Sequence, residues 1–204
     1  MGSSESRHSR TFSAGILWSL LIGALSSCAA APLRPDTMPT LTTLEGNSVN
    51  LPAVFPKAAA TVLIFFSTDC PCVTRYQQRM EAWANTLTSE SAQVFYVSSN
   101  AADDRAALQE AIATRHLQLP MLIDPQGTLA RELQVRSTPT VLVFDRTGAL
   151  RFRGWFDNER LPFEPGREAW VETAVEQLLA GQTGFTSSAP MWGCVITRRL
   201  NSSH

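Results

Sequence analysis

Lysine occurs once, at Lys57, and all other side-chain positive charge is arginine. Histidine is nearly as scarce: beyond the N-terminal apolar segment only His116 and His204 remain. There is no Lys/Arg run and no basic patch, which excludes a nucleic-acid partner. No carboxylate pair stands at a spacing suited to acid–base work; Glu81 and Glu110 read as solvated helix faces. A phosphate-binding glycine loop and a Ser/His/Asp arrangement are also absent, so those chemistries have no carriers here. No internal repeat is visible. The N-terminal apolar run, residues 16–25, is too short for a membrane span. What remains is a chain of 204 residues with net charge −1, 44% hydrophobic and 17% charged, the composition of one globular domain plus extensions.

The first extension is a targeting segment. Arg7 and Arg10 precede the apolar run, whose length suits a signal peptide. It ends in Leu25-Ser26-Ser27-Cys28, which resembles a bacterial lipobox. That resemblance implies a signal peptide over 1–27 and a lipid on Cys28. Ala29 after the cysteine then favours the outer membrane. Ordinary cleavage near residues 29–31 is the plainer alternative, and either route exports the domain to an oxidising, periplasmic compartment. Residues 28–39, with three prolines, read as an extended tether.

Four cysteines are present, and lipidation of one leaves Cys70, Cys72 and Cys194. An odd number means that at least one thiol is unpaired, metal-bound or reactive. Cys70 and Cys72 fall in Ser67-Thr68-Asp69-Cys70-Pro71-Cys72, directly after the apolar run 61–66 and before a helix-like segment. A thiol at a strand-to-helix junction meets backbone N–H groups and the positive end of the helix dipole, which favour the reactive thiolate. Asp69 beside Cys70 acts in the opposite sense through its charge. Two buried structural cysteines are the bland alternative.

Periodicity and turn residues predict a hairpin around Glu45-Gly46-Asn47 and a buried strand over 61–66. An amphipathic helix over 73–88 follows, with Tyr76, Met80, Trp83 and Leu87 on one side, then a strand over 94–97. A helix opened by Asp103 and Asp104 runs to about 115, with His116 as its C-terminal cap. A short strand over 120–123 and a short helix over 128–134 precede a hairpin over 140–144 and 149–153. The last helix covers 168–180 and stops at Gly181. This alternation predicts an α/β fold with a central mixed sheet flanked by helices over 40–182, and a turn-rich tail over 183–204 carrying Cys194.

These segments resemble the thioredoxin superfamily, in its peroxiredoxin-like redoxin branch of the AhpC/TSA type. The likeness is carried by Phe65 to Pro71, by Arg75-Tyr76 and by Ser137-Thr138-Pro139-Thr140. Residues 150–157 and the tail pattern Gly193-Cys194-Val195-Ile196 complete it. It implies a thioredoxin-like fold, Cys70 as the attacking thiol, and Pro139 as the cis-proline that sets the Thr138 backbone beside Cys70. Ser67, Thr68, Asp69 and Pro71 would form the active-site loop. The superfamily's usual second cysteine falls at Val73, so Cys72 stands one residue early and Cys194 competes as a resolving thiol.

The resemblance and the three thiols leave three chemistries open. Thiol–disulfide exchange with protein thiols and disulfides comes first, with Cys72 or Cys194 resolving and no cofactor needed. Peroxide reduction comes second. Ser67 stands at that branch's Thr position, Leu63 at its Pro position, and Arg136 and Arg153 are the candidate arginines. Cu(I) binding by Cys70, Cys72 and Cys194 comes third; the Sco-like copper proteins of the superfamily use a Cys-x-x-x-Cys pair and a histidine, and this chain has neither. Trp83 and Trp155 are candidates for a substrate groove or for packing.

Overall fold

The computed structural model describes Gly2 and residues 37–158 and 166–197. The signal segment, Cys28, most of the tether and His204 lie outside the described residues.

The chain opens with β1 (Leu41–Thr43) and β2 (Ser48–Val49), the expected hairpin. The second strand is cut short because Asn50 caps α1 (Leu51–Val54), its side chain accepting from the Ala53 N–H at 3.3 Å. A 3-10 turn, Phe55–Lys57, leads into β3 (Ala60–Phe66). Every residue of β3 is buried, as expected of a continuous apolar run in a strand covered on both faces.

Then come α2 (Pro71–Ala84), β4 (Ala92–Ser98), α3 (Arg105–Arg115), β5 (Met121–Ile123) and α4 (Thr128–Glu132). Helix α2 begins two residues earlier than the apolar pattern predicts, since Pro71 suits a first helical position. Helix α3 is capped at its start by Asp104, which accepts from the Ala107 N–H at 2.8 Å. It ends, as expected, at His116, whose left-handed backbone (φ 55°) lets its N–H return to the Ile112 carbonyl. The closing elements are β6 (Ser137–Thr138), β7 (Thr140–Asp145), β8 (Leu150–Gly154), α5 (Trp170–Leu179), β9 (Ser187–Ser188) and β10 (Cys194–Val195).

Eight strands form one mixed sheet in the order β2-β1-β5-β4-β3-β7-β8-β9. Strands β3, β4 and β5 are parallel, and β7 returns antiparallel to β3. Alternate residues of β3 feed two cores: Val62, Ile64 and Phe66 pack with α2, α3 and α5, while Leu63 and Phe65 pack on the opposite face with α1 and α4. This is the α/β architecture expected from the sequence. Strand β9 was not foreseen; it pairs parallel to β8 at the sheet's end. Strand β10 pairs with β6 in a two-stranded sheet of their own. Among the described residues no helix is long and apolar enough to cross a membrane.

Candidate thiol site

Cys70 stands at the N-cap of α2, where β3 delivers it through the Ser67–Asp69 turn. The loop is held from below by a buried carboxylate. Asp103 accepts from the Thr68 N–H at 3.0 Å, the Thr68 hydroxyl at 2.6 Å and the Ser98 hydroxyl at 3.2 Å. Arg115 also binds the Thr68 carbonyl. Asn100 donates to the Ser67 hydroxyl at 2.9 Å, which in turn donates toward Asp103. The two residues of the Asp103-Asp104 pair divide two roles: Asp104 caps the helix, and Asp103 turns inward to fix the cysteine loop. The doublet was the only signal, since a helix needs one N-cap.

Opposite Cys70 lies the Thr138–Pro139 peptide, which is cis. The Cys70 thiol donates to the Thr138 carbonyl at 3.2 Å. Strand β10 brings the tail to the same place, with Cys194 facing Thr138 and Val195 facing Ser137 in antiparallel register. Cys70, Cys72 and Cys194 are free thiols whose sulfur atoms all lie within 4.8 Å of one another. Cys70 is only 1% exposed, whereas Cys72 and Cys194 are half-buried.

The three thiols are not equivalent. Burial pushes the Cys70 thiol up, but its donors more than reverse this: the Cys194 thiol, the Thr138 side chain, and the N–H groups of Val73 and Cys194. Its net shift is down, toward the thiolate. Burial, then the charge of Cys70, pushes Cys72 up. Burial, then the hydrogen bond to Cys70, pushes Cys194 up to about 12. The cluster is therefore one poised nucleophile beside two protonated thiols. Asp69, beside Cys70, is exposed to solvent.

Other candidates fall elsewhere. Val73, at the usual second-cysteine position, is fully buried in the core. Leu63 is in the middle of β3, packed on the α1/α4 face. The Ser67 hydroxyl is already engaged with Asp103 and Asn100. Arg153 donates to the Leu133 carbonyl at 2.7 Å, and Arg136 is exposed. Glu81 is not a solvated face: it accepts from the Gln118 and Leu119 N–H groups at 3.2 and 3.4 Å. Glu110 is exposed, as read. Trp83 packs on Phe156, with ring centroids 5.5 Å apart. Trp155 packs between Tyr76 (5.6 Å) and the tail's Trp192 (4.1 Å).

The model of the AhpC/TSA family matches residues 35–153. Sporulation thiol-disulfide oxidoreductase A of Bacillus subtilis (strain 168) is 22% identical over 134 residues, 64% of this chain and 79% of that protein. An uncharacterised conserved protein from Geobacillus kaustophilus superposes with a TM-score of 0.70 at 26% identity, over 80% of this chain and 91% of that one. A secreted disulfide oxidoreductase of Mycobacterium tuberculosis superposes with a TM-score of 0.52 at 17% identity, over 70% and 96%.

Proposed function

The chain belongs to the AhpC/TSA family and has a thioredoxin-like fold, and from that premise we propose that it is an exported thiol–disulfide oxidoreductase with Cys70 as the attacking thiol. The observation that carries this reading is the asymmetry of the cluster: one thiol with a lowered pKa, fully covered, within 4.8 Å of two protonated partners. The Cys70 thiolate attacks one sulfur of a substrate disulfide. The bond between the substrate sulfurs breaks, and the other sulfur leaves as a thiolate and takes a proton. A second enzyme thiol then loses its proton and attacks the Cys70 sulfur, expelling the remaining substrate thiolate. Two electrons have passed from the enzyme dithiol to the substrate disulfide, and an external dithiol must restore the enzyme.

Cys194 is the first candidate for that second thiol, because β10 brings it in from a separate element with its sulfur within 4.8 Å of Cys70. Cys72 is two residues along the helix start from Cys70. Residues at that spacing do not face each other on a helix, so bonding them distorts the first turn. Export, and a lipid on Cys28 with the domain held off the outer membrane by residues 28–39, complete the reading. They are supported by the leader pattern and by the secreted character of one structural relative.

Disulfide mapping tests it. Reaction of the soluble 29–204 form with a disulfide-bonded model protein should reduce the substrate and leave Cys70 in an internal disulfide. Equal activity of Cys70→Ser would refute it. A Cu(I) titration checks the copper-binding reading, whose support is the three-sulfur cluster. There, a stoichiometric complex requiring all three thiols, with release of their protons, would be seen instead.

A further inference from the structure

Resting on the exchange reading above, we propose that residues 191–197 occupy the strand position of the substrate polypeptide. Tail and substrate are then alternative occupants of one site, and the substrate is an extended segment whose cysteine lies opposite Thr138.

Among the described residues, β6 has β10 as its one strand partner. Removing the tail would leave Ser137-Thr138 as an open edge whose backbone lies against Cys70, at 3.2 Å from its sulfur to the Thr138 oxygen. An extended chain adding to such an edge pairs through its backbone, and alternate side chains enter pockets. The tail shows that alternation. Cys194 is half-buried beside Cys70, Val195 is 74% exposed, and Ile196 is 7% exposed in the core shared with α1 and α4. The residue opposite Thr138 is the one brought to the nucleophile, and in the tail that residue is a cysteine.

The cover is anchored at both ends but ill-fitting in the middle. Before the site, the Trp155 N–H donates to the Pro190 carbonyl. After it, the Ile196 N–H donates to the Arg136 carbonyl, and Thr197 binds Asn100 and Ala101. Between these anchors, Met191 and Trp192 are 44% and 53% exposed. Trp155 Nε1 is buried beneath it without a hydrogen-bond partner. The tail hides this donor and does not satisfy it, the condition of a strand that a better-matched chain can displace.

The tail also indicates what such a chain looks like. A Cβ placed on Gly193 would lie 2.1 Å from the Thr138 oxygen, so the residue before the cysteine must be glycine or the backbone must move. A large apolar residue fits two positions after the cysteine, where Ile196 enters the core. The competition has a chemical consequence. A substrate held by a Cys70 mixed disulfide sits where Cys194 belongs. When the tail returns and its thiolate attacks Cys70, the substrate loses its bond and its strand position in one event.

The test uses the soluble 29–204 form and a peptide with the sequence of residues 189–197 carrying Cys194→Ser. Gly193→Val dislodges the tail without touching a thiol, and Trp192→Ala loosens it at a half-exposed position where folding is not at risk. An intramolecular strand acts at about millimolar effective concentration, so freeing the site should tighten peptide binding at least ten-fold and speed Cys70 alkylation at least ten-fold. Added peptide should slow that alkylation again. Unchanged binding and alkylation in folded Trp192→Ala and Gly193→Val would overturn the proposal. If the peptide binds but no disulfide is reduced, the exchange reading falls and the strand site stands. If reduction proceeds and the peptide never binds, the strand site falls alone.

Discussion

One carboxylate oxygen of Asp103 accepts both the backbone N–H and the hydroxyl of Thr68, at 3.0 and 2.6 Å, and so ties the loop before Cys70 to the end of β4. Removing that acceptor strands several buried donors at once. Asp103→Ala should cost about 2 to 3 kcal/mol in urea unfolding. Asp103→Asn, which keeps one acceptor oxygen, should cost less. A loss in Asp103→Ala below about 0.5 kcal/mol would mean that water replaces the carboxylate without penalty.

The thiol at position 70 should titrate below the ordinary cysteine range, because the donors around its sulfur outweigh burial. The sign follows from a lowered acid: the folded state gains stability from the thiolate above the unfolded thiol's pKa and loses it as pH falls through the folded pKa. Thiolate absorbance in a Cys72→Ala background should show a midpoint on the low side. Adding Cys194→Ala should move it up, since the largest favourable donor is lost; Cys194→Ser, which keeps a hydroxyl donor, should move it less. An unmoved midpoint in Cys194→Ala would contradict the assigned hydrogen bond.

Resolution should depend on the tail more than on the neighbouring thiol. Cys194→Ser should prolong the Cys70 mixed disulfide at least about ten-fold, given the millimolar effective concentration of an attached thiol, and Cys72→Ser should prolong it less. Quenched mass spectrometry reads both. The reverse order would place resolution on Cys72.

Asp157, fully buried, receives Arg79 from α2 through two hydrogen bonds of 3.0 and 2.8 Å, and also Arg167 at 3.1 Å. This pairing fixes the cysteine-bearing helix against the segment after β8. Asp157→Ala removes a fully buried carboxylate from two half-buried arginines, of which Arg167 keeps Glu172, and should cost about 1 to 3 kcal/mol in thermal or urea unfolding. A near-neutral result would show that the arginines swing out to solvent.

Cys28 is expected to carry the membrane anchor. Cys28→Ala should move the protein from the membrane fraction to the soluble extracytoplasmic fraction and abolish labelling by a fatty-acid analogue. Retention of both would place the anchor elsewhere.

The parts legible in the sequence were those written in local pattern. The run 61–66 announced β3 by composition, whereas the apolar period put the start of α2 two residues late, and the cis peptide at Pro139 was implied only by the family resemblance of Ser137-Thr138-Pro139-Thr140. The parts not legible depend on partners distant in sequence. A two-residue strand such as β9 or β10 has no period to read; it exists because β8 and β6 offer an edge. Asp103 has the same local signature as the capping Asp104 beside it, and only the packed loop shows that its carboxylate turns inward. Arg153 was a candidate by residue type alone, and the Leu133 carbonyl claims it.

The pairing of Ser187–Ser188 with β8 has a consequence apart from thiols. Strand β8 would otherwise end the sheet as a five-residue run with its outer amides and carbonyls open, a template for another chain's strand. A two-residue, exposed serine strand is a poor template. Proteolytic loss of the C-terminal segment would thus convert a blunt border into an adhesive one, and clipped molecules would aggregate edge to edge while their fold remained intact.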